Sequence, residues 1–211
     1  MEERQVSFIE DIKAVQRAVG AEPDGIFGPV TAAATLAELR KLTTGDMGGD
    51  LSDEVLDFRS EENLKTLDAK AQDVFRDFLL RAKATAATFG CEYVMISGHR
   101  SWEEQDVLYA RGRTVPGDKI TNAKGGQSNH NFGIAADFAV FQGKIYLDGG
   151  TNQQAALARR VHAACAVHAR KLGMDWGGDW RNLKDEPHFE IHTGLTLAQK
   201  RSVYQQRGSV L

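Results

Sequence analysis

The sequence predicts an α+β fold, in which a small antiparallel sheet with flanking helices follows a small helical domain. The chain has 211 residues, enough for one domain of ordinary size and one smaller unit. Patterns typical of helices and of strands mix without regular alternation, which argues against a doubly wound sheet. The polar, glycine-rich segment 43–50 is typical of a flexible linker. We therefore predict a helical module at 1–42, a linker at 43–60 and the main domain at 61–211.

The N-terminal module is predicted to consist of two helices joined by a fixed loop. Apolar residues recur at helical spacing in the first helix, at Phe8, Ile12, Val15 and Val19. The loop at 22–29 holds two glycines and two prolines, so its backbone is predicted to be irregular. The second helix is predicted to begin near Thr31.

The main domain is predicted to contain both helices and strands. Its predicted elements are, in order, a long amphipathic helix at 63–89, a buried strand at 93–97, a short helix at 102–110, strands at 134–141 and 144–147, a helix at 153–172 and a final strand at 188–192. Cys91 and Cys165 fall in apolar and helical patterns, which predicts buried free thiols rather than a disulfide.

Composition and charge exclude several classes of partner. The chain is 42% hydrophobic and 26% charged, as expected for a soluble globular protein. Its formal net charge of −3 gives no attraction for polyanions, so neither nucleic acid nor an anionic membrane is an expected partner. The N-terminus lacks the basic start and apolar stretch of a secretory signal, and no stretch reaches membrane-spanning length. We therefore expect synthesis in the cytoplasm and no membrane insertion.

The segment 127–137 is the most informative for chemistry. It places His130 on a loop and Asp137 seven residues later, on a strand of small residues. One nitrogen and one oxygen ligand could therefore face a single metal ion, and the small neighbours leave space for the ion and a substrate.

The segment 185–192 supplies a second histidine and nearby carboxylates. Alternation along a strand puts His188, Glu190 and His192 on one face, so either histidine could be a ligand. Two histidines and one carboxylate, with the fourth position left open, are the ligands of a catalytic zinc site. Such a site needs a general base that is not itself a ligand, and Asp185 and Glu190 are both candidates.

A run of motifs resembles the zinc D-alanyl-D-alanine carboxypeptidases and L-alanyl-D-glutamate endopeptidases. These motifs are, in order, Ser-Gly-His-Arg-Ser at 97–101, Gln105, Leu-Tyr-Ala-Arg-Gly-Arg at 108–113, Pro-Gly at 116–117, Ser-x-His-x-x-Gly-x-Ala-x-Asp at 128–137, Trp-Gly-Gly-Asp-Trp at 176–180 and Asp-x-Pro-His at 185–188. The resemblance spans about residues 64–190 and implies a zinc ion bound by His130, Asp137 and His188.

The resemblance also implies roles for residues around the metal. Asp185 would be the general base, although many relatives have glutamate at that position, and Arg100 would orient the substrate and stabilise the oxyanion. Substrate binding is assigned to Ser128, Gln105, Arg113 and Trp180. Arg111 is the alternative to Arg113 as partner of an acidic D-glutamate in the substrate.

The N-terminal module resembles the peptidoglycan-binding repeat found at the ends of many wall hydrolases. The pattern Asp-Gly-x-x-Gly-x-x-Thr at 24–31 carries this resemblance, which covers about 35 residues. It implies that 1–42 binds the glycan wall. A two-helix unit that only braces the main domain is the alternative.

Together these resemblances predict a monomeric, zinc-dependent hydrolase that cuts the L-alanyl-D-glutamate bond of the peptidoglycan stem peptide. A D-alanyl-D-alanine carboxypeptidase is the enzymatic alternative, and an inactive wall-binding or virion structural protein is an alternative of another class. The lack of a secretory signal, combined with the wall-binding module, predicts a phage endolysin that reaches the periplasm when a holin opens the membrane.

Overall fold

The computed structural model describes residues 56–211 together with Lys13. Apart from Lys13, the predicted peptidoglycan-binding module at 1–42 lies outside the described residues, as does most of the linker predicted at 43–60. Both therefore stay predictions. In the part of the chain that the structure describes, no helix is long and apolar enough to cross a membrane.

The described chain folds into a small sheet, helices and two short 3₁₀ turns. The elements are, in order, α1 (Phe58–Thr66), α2 (Ala69–Ala87), β1 (Glu92–Ser97), α3 (Trp102–Ala110), a 3₁₀ turn (Asn129–Phe132), β2 (Ala135–Gln142), β3 (Ile145–Tyr146), α4 (Asn152–Lys171), β4 (Met174–Trp176), a 3₁₀ turn (Gly177–Asp179), β5 (His188–Ile191) and α5 (Leu197–Arg207). Helix α1 begins inside the segment that the sequence assigned to the linker. It starts there because Asp57 caps it by accepting a hydrogen bond from the Ser60 amide.

The sheet is antiparallel throughout, with strand order β1–β2–β5–β4 and β3 paired to the end of β2. This arrangement confirms the predicted α+β class. Strand β2 is central, and in its register with β5 Asp137 lies opposite His188. Two residues that are 51 positions apart in the sequence are therefore neighbours on the sheet.

The single helix predicted at 63–89 was wrong, because the chain forms α1 and α2 with a break between them. At the break Leu67 is extended and Asp68 caps α2. The Asp68 amide donates a hydrogen bond to the Gly133 carbonyl at 3.0 Å. Gly133 has φ of 68°, and a Cβ there would lie only 2.6 Å from the Asp68 nitrogen, so glycine is required. The break thus anchors the loop that carries His130.

The other predicted elements lie within one residue of their predicted ends. The helix predicted at 102–110 has the same bounds in the structure, and α4 is displaced by one residue. Cys91 and Cys165 are buried and free, as predicted. Strand β4 and helix α5 were not predicted.

The main core lies between the sheet and the helices α2 and α4. Its largest members are the fully buried aromatic side chains Phe75, Phe78, Tyr93, Phe138 and Phe189. Because side chains alternate along a strand, Phe138 points into this core and Asp137 points to the opposite face. The same alternation in β5 buries Phe189 and places His188 beside Asp137. The apolar core therefore fixes which face of the sheet carries the polar residues.

A chain of buried hydrogen bonds crosses this core. The Tyr93 hydroxyl lies 2.8 Å from His162 Nδ1, and His162 Nε2 lies 2.6 Å from Asp148 Oδ1. The other Asp148 oxygen accepts the Val140 amide at 2.9 Å. His162 is completely buried, so it links α4 to β1 and to β2 from inside the molecule. It is a core histidine.

We expect the His162→Ala variant to lose about 2–5 kcal/mol of unfolding free energy, because it leaves a buried hydroxyl and a buried carboxylate without their partner. The control is His192→Ala, which removes an exposed ion pair with Asp175 and should cost less than about 1 kcal/mol. Urea denaturation of both variants measures the two losses. Equal losses would show that the buried chain of hydrogen bonds contributes no special stability.

Candidate metal centre

Three side chains converge on the face of the sheet that lies opposite the aromatic core. His130 comes from the first 3₁₀ turn, Asp137 from β2 and His188 from β5. His130 Nε2 lies 3.2 Å from Asp137 Oδ1 and 3.3 Å from His188 Nδ1, and His188 Nδ1 lies 3.2 Å from the same carboxylate oxygen. Both histidines are buried and Asp137 is partly buried. Within residues 56–211 these three form the group whose geometry could hold a metal ion.

Each imidazole directs its N–H away from the cluster. His130 Nδ1 lies 2.7 Å from the Gly98 carbonyl oxygen, which can only accept, so Nδ1 carries the proton. His188 Nε2 lies 2.9 Å from Glu190 Oε2, which fixes the proton on Nε2 in the same way. The remaining nitrogens therefore present lone pairs towards the Asp137 oxygen. Three acceptor atoms face one another, and they need a positive charge between them.

The spacing of these atoms suits a zinc-like ion. A tetrahedral ion with bonds of about 2.0–2.1 Å holds its ligand atoms about 3.3–3.4 Å apart. The three atoms here are 3.2–3.3 Å apart. Two neutral imidazoles and one carboxylate are also the donor types found in catalytic zinc sites. The residues therefore fit such an ion in both chemistry and spacing.

The electrostatics of the cluster favour a positive charge at its centre. Burial alone would lower the pKa of His188, but hydrogen bonds to Asp137 and Glu190 outweigh it and raise that pKa to about 10. Burial alone would raise the pKa of Asp137, but His130 and His188 hold it well below its usual range. The two opposite charges stabilise each other inside the sheet face.

Two further carboxylates lie next to the cluster, and their surroundings differ. Burial raises the pKa of Asp185, and the nearby Asp137 carboxylate adds to the effect. No side-chain hydrogen bond joins Asp185 to another described residue. Glu190, by contrast, accepts the hydrogen bond from His188, which together with Asn129 and Lys200 outweighs burial and lowers its pKa.

The cluster lies at a cleft of about 780 Å³. The predicted site residues that line this cleft are Arg100, Ser128, His130, Asp137, Trp180, Asp185 and His188. Trp180 is partly exposed, and its ring centroid lies 5.1 Å from that of His188. Trp180 therefore lies in the cleft next to the cluster.

Gln105 is completely buried and does not line the cleft. Its Oε1 accepts a hydrogen bond from Arg100 Nη1 at 3.0 Å, and its Nε2 donates to Thr121 Oγ1 and to the Ala123 carbonyl. Arg100 Nη2 also donates to Ser97 Oγ at 3.2 Å and lies 3.9 Å from Asp137 Oδ2. Gln105 thus positions Arg100 against the cleft.

Arg113 also lies away from the cleft. Its guanidinium donates to the carbonyl oxygens of Tyr109 and Thr121 and to Asn122 Oδ1, and it stacks 3.9 Å from the centre of the Tyr109 ring. These contacts hold the loop after α3 together and leave Arg113 poorly placed to receive a substrate. Arg111, the alternative, is exposed and does not line the cleft either.

His192, the alternative ligand, is also outside the cluster. Its side chain is exposed, and its Nδ1 lies 2.7 Å from Asp175 Oδ2 on the neighbouring strand. Among the cleft residues that sequence reasoning missed are Asn129 and Lys200. Lys200 lies on α5, a helix that the sequence analysis did not predict. Thr196 and Gln199 form a capping box at its start, and this pair is the sequence signal that could have indicated the helix.

The sequence of this chain is similar to those of known peptidases. Residues 121–191 match a peptidase family profile described as D-alanyl-D-alanine carboxypeptidase. The peptidoglycan L-alanyl-D-glutamate endopeptidase CwlK of Bacillus subtilis (strain 168) is 43% identical over 115 residues, which cover 52% of this chain and 66% of that protein. The match thus spans slightly less than two thirds of the length of that relative.

Two solved structures are also similar to this chain. The L-Ala D-Glu endopeptidase ChiX of Serratia marcescens has 24% identity and a TM-score of 0.47, over 70% of this chain and 96% of its own. A variant of the vancomycin resistance D,D-pentapeptidase VanY from a VanB-type cassette, in complex with Zn(II), has 17% identity and a TM-score of 0.40, over 68% of this chain and 80% of its own.

The described domain holds a His-Asp-His group suited to a metal ion, and residues 121–191 are similar to a D-alanyl-D-alanine carboxypeptidase family. The chain is also similar in sequence to the endopeptidase CwlK.

We expect the wild-type chain to bind one zinc ion at this group, and the variants His130→Ala and His188→Ala to bind it at least about 100-fold more weakly. Loss of a direct ligand should exceed the roughly 10–100-fold cost of losing a group that only supports a ligand. Equilibrium dialysis followed by elemental analysis measures the affinity. His192→Ala is the control and should bind zinc as the wild type does. Full retention of zinc by His188→Ala would contradict the assignment.

Proposed function

We propose that this protein is a zinc-dependent endopeptidase that cleaves the L-alanyl-D-glutamate bond of the peptidoglycan stem peptide. The observation that carries the proposal is the convergence of His130, Asp137 and His188 at the cleft. Zinc is chosen because two imidazoles and one carboxylate with an open fourth position are typical of catalytic zinc. The bond is chosen because a relative with 43% identity is an endopeptidase for that bond.

Asp185 is the residue that we assign as general base. A zinc ion held by the cluster would supply Lewis acidity to the scissile carbonyl and to the attacking water. Asp185 lines the same cleft and has no hydrogen bond to a described side chain, so its oxygens can accept a proton from that water. Burial raises the pKa of its carboxyl, which makes it a stronger proton acceptor than an exposed aspartate.

Glu190 is the alternative base, and its contacts favour another role. Its Oε2 accepts the Nε2–H of His188 at 2.9 Å. This hydrogen bond keeps His188 in the tautomer whose Nδ1 faces the cluster. We therefore propose that Glu190 orients a metal ligand rather than taking the proton from water.

Arg100 is proposed to stabilise the negative charge that develops on the attacked carbonyl oxygen. Its guanidinium lines the cleft and is held in place by Gln105 and Ser97. A cation that is fixed before the reaction stabilises a developing oxyanion without having to reorganise. Ser128 and Trp180 line the same cleft and are the remaining residues that we propose to contact the substrate.

The second candidate function is D-alanyl-D-alanine carboxypeptidase. It is favoured by the description of the family profile that residues 121–191 match. Both reactions would use the same zinc group and the same base, so the bond that is cut is the discriminating property.

We further propose that residues 1–42 bind the wall, that the protein is a monomer, and that it acts as a phage endolysin released by a holin. The proposed wall binding would increase the effective concentration of the enzyme at the wall without changing its chemistry.

We expect Asp185→Asn to reduce kcat/KM by about 10²–10⁴-fold while zinc stays bound, because a positioned acid–base group typically contributes that much. Glu190→Gln is the matched control. Its amide oxygen can still accept the hydrogen bond from His188, so its loss should be smaller. Hydrolysis of soluble muropeptides and zinc content are measured on both variants. A large loss in Glu190→Gln with a small loss in Asp185→Asn would make Glu190 the base.

Digestion of purified sacculi by the zinc-loaded full chain tests the bond. Mass spectrometry should show new D-glutamate amino termini and L-alanine left on the muramic acid, without release of free D-alanine. The Asp185→Asn chain serves as the blank. Free D-alanine as the main product would move the protein to the carboxypeptidase reaction, and no product at all would favour an inactive wall-binding protein.

A further inference from the structure

Lys200 is a charged residue in an unusual position. It lies on α5, and 6% of its surface is exposed, yet its side chain lines the cleft beside Asn129, Glu190 and Leu197. Lysine is rarely buried to this degree unless it is paired with an opposite charge. Neither the motifs of the sequence nor the matched profile over 121–191 reaches this residue.

The hydrogen bonds of Lys200 leave most of its donors unused. Its Nζ donates to Asn129 Oδ1 at 2.8 Å, and Asn129 is a neutral partner. Among the described residues, no carboxylate oxygen lies within the 4.0 Å of Nζ that defines an ion pair. An ammonium has three N–H donors, so two remain for groups inside the cleft. Burial lowers the pKa of Lys200, as expected for a cation without a direct counter-ion.

A purely structural role does not account for this arrangement. A neutral side chain could support Asn129 without the cost of burying a charge. A buried cation that faces a cleft is stabilised when an anion enters that cleft. The arrangement therefore points to an anionic ligand.

The other cations of the cleft are less suitable as partners for an anion. Arg100 is held by Gln105 and Ser97 and lies near Asp137, and Lys119 is exposed at the rim. Glu190 accepts the hydrogen bond from His188 at 2.9 Å and forms no ion pair with Lys200.

We propose that the Lys200 ammonium binds a free carboxylate of the substrate, on the residue that follows the scissile bond. The proposal rests on the function proposed above. A D-glutamate whose γ-carboxyl carries the rest of the stem keeps its α-carboxylate free, on the carbon next to the scissile nitrogen. Lys200, rather than Arg111 or Arg113, would then select stems that retain this charge over stems in which it is amidated.

The experiment compares two soluble stem peptides that differ only in this group, one with the α-carboxylate and one with the α-amide. We expect the zinc-loaded wild-type chain to have a KM about 10–100-fold lower for the carboxylate, the range expected for a hydrogen bond between two charged groups. Lys200→Met should raise the KM for the carboxylate to that of the amide, with kcat and the kinetics of the amide nearly unchanged. Lys144→Met, on an exposed turn, is the control and should retain the preference.

A second variant and a second readout keep the test decisive. Lys200→Gln can still donate to Asn129 but carries no charge, and its melting temperature and zinc content report whether the fold and the centre are intact. Calorimetry measures the binding of D-glutamyl product peptides and of their α-amides, independently of hydrolysis. Both variants should lose the preference for the carboxylate in this measurement.

The outcomes separate the two proposals. An equal loss on both substrates in the Lys200 variants, or a wild-type chain without preference, overturns the role of Lys200 and leaves the endopeptidase intact. Failure of the wild-type chain to cut either peptide overturns the proposed function instead. In that case calorimetry still tests Lys200. Tighter binding of the carboxylate than of the amide by the wild type, lost in the Lys200 variants, supports its role, and equal binding overturns it.

Discussion

The mutual approach of three lone-pair-bearing atoms is the constraint on which the rest of the site depends. His130 Nε2, His188 Nδ1 and Asp137 Oδ1 lie 3.2–3.3 Å apart, and both imidazole N–H groups are engaged elsewhere. Such an arrangement is stable only with a proton or a metal ion at its centre. The fold therefore holds together atoms that would otherwise repel one another.

Strand pairing, core packing and hydrogen bonds around the cluster hold these three atoms in place. The register of β2 with β5 puts Asp137 opposite His188, and the aromatic core fixes which face of the sheet they occupy. Asn131 is completely buried and donates to the Arg100 and Ser101 carbonyls, while its Oδ1 accepts the Gly126 amide at 2.9 Å. The turn that carries the first histidine is thereby fastened to the loop that carries Arg100. A site held by such contacts is organised before substrate arrives.

The sequence predicted the fold class and the central chemistry because both depend on local patterns. Alternation along β5 and the spacing at 128–137 left His188 and His192 as alternatives, and the family resemblance implied the three residues that the structure brings together. The break at Leu67 and Asp68 was missed because the apolar residues of the two helices follow one continuous helical spacing. The break is made by Asp68, whose side chain caps the start of α2.

The positions of Gln105 and Arg113 outside the cleft lining could not be predicted, for a different reason. Their partners are carbonyl and side-chain groups that are up to 18 positions away, on a loop whose path no sequence pattern specifies. A motif can show that a residue belongs to a site, but only its contacts show whether it faces the substrate or supports a neighbour. Lys200 was missed for the same reason. It lies on α5, 71 positions after Asn129, the residue to which it donates a hydrogen bond.

Anomalous X-ray diffraction from zinc-soaked crystals, collected on both sides of the zinc absorption edge, locates any bound zinc ion. We expect one strong peak about 2.0–2.2 Å from His130 Nε2, Asp137 Oδ1 and His188 Nδ1. A peak at His192 and Asp175 instead, or no peak at the three converging atoms, would contradict this expectation.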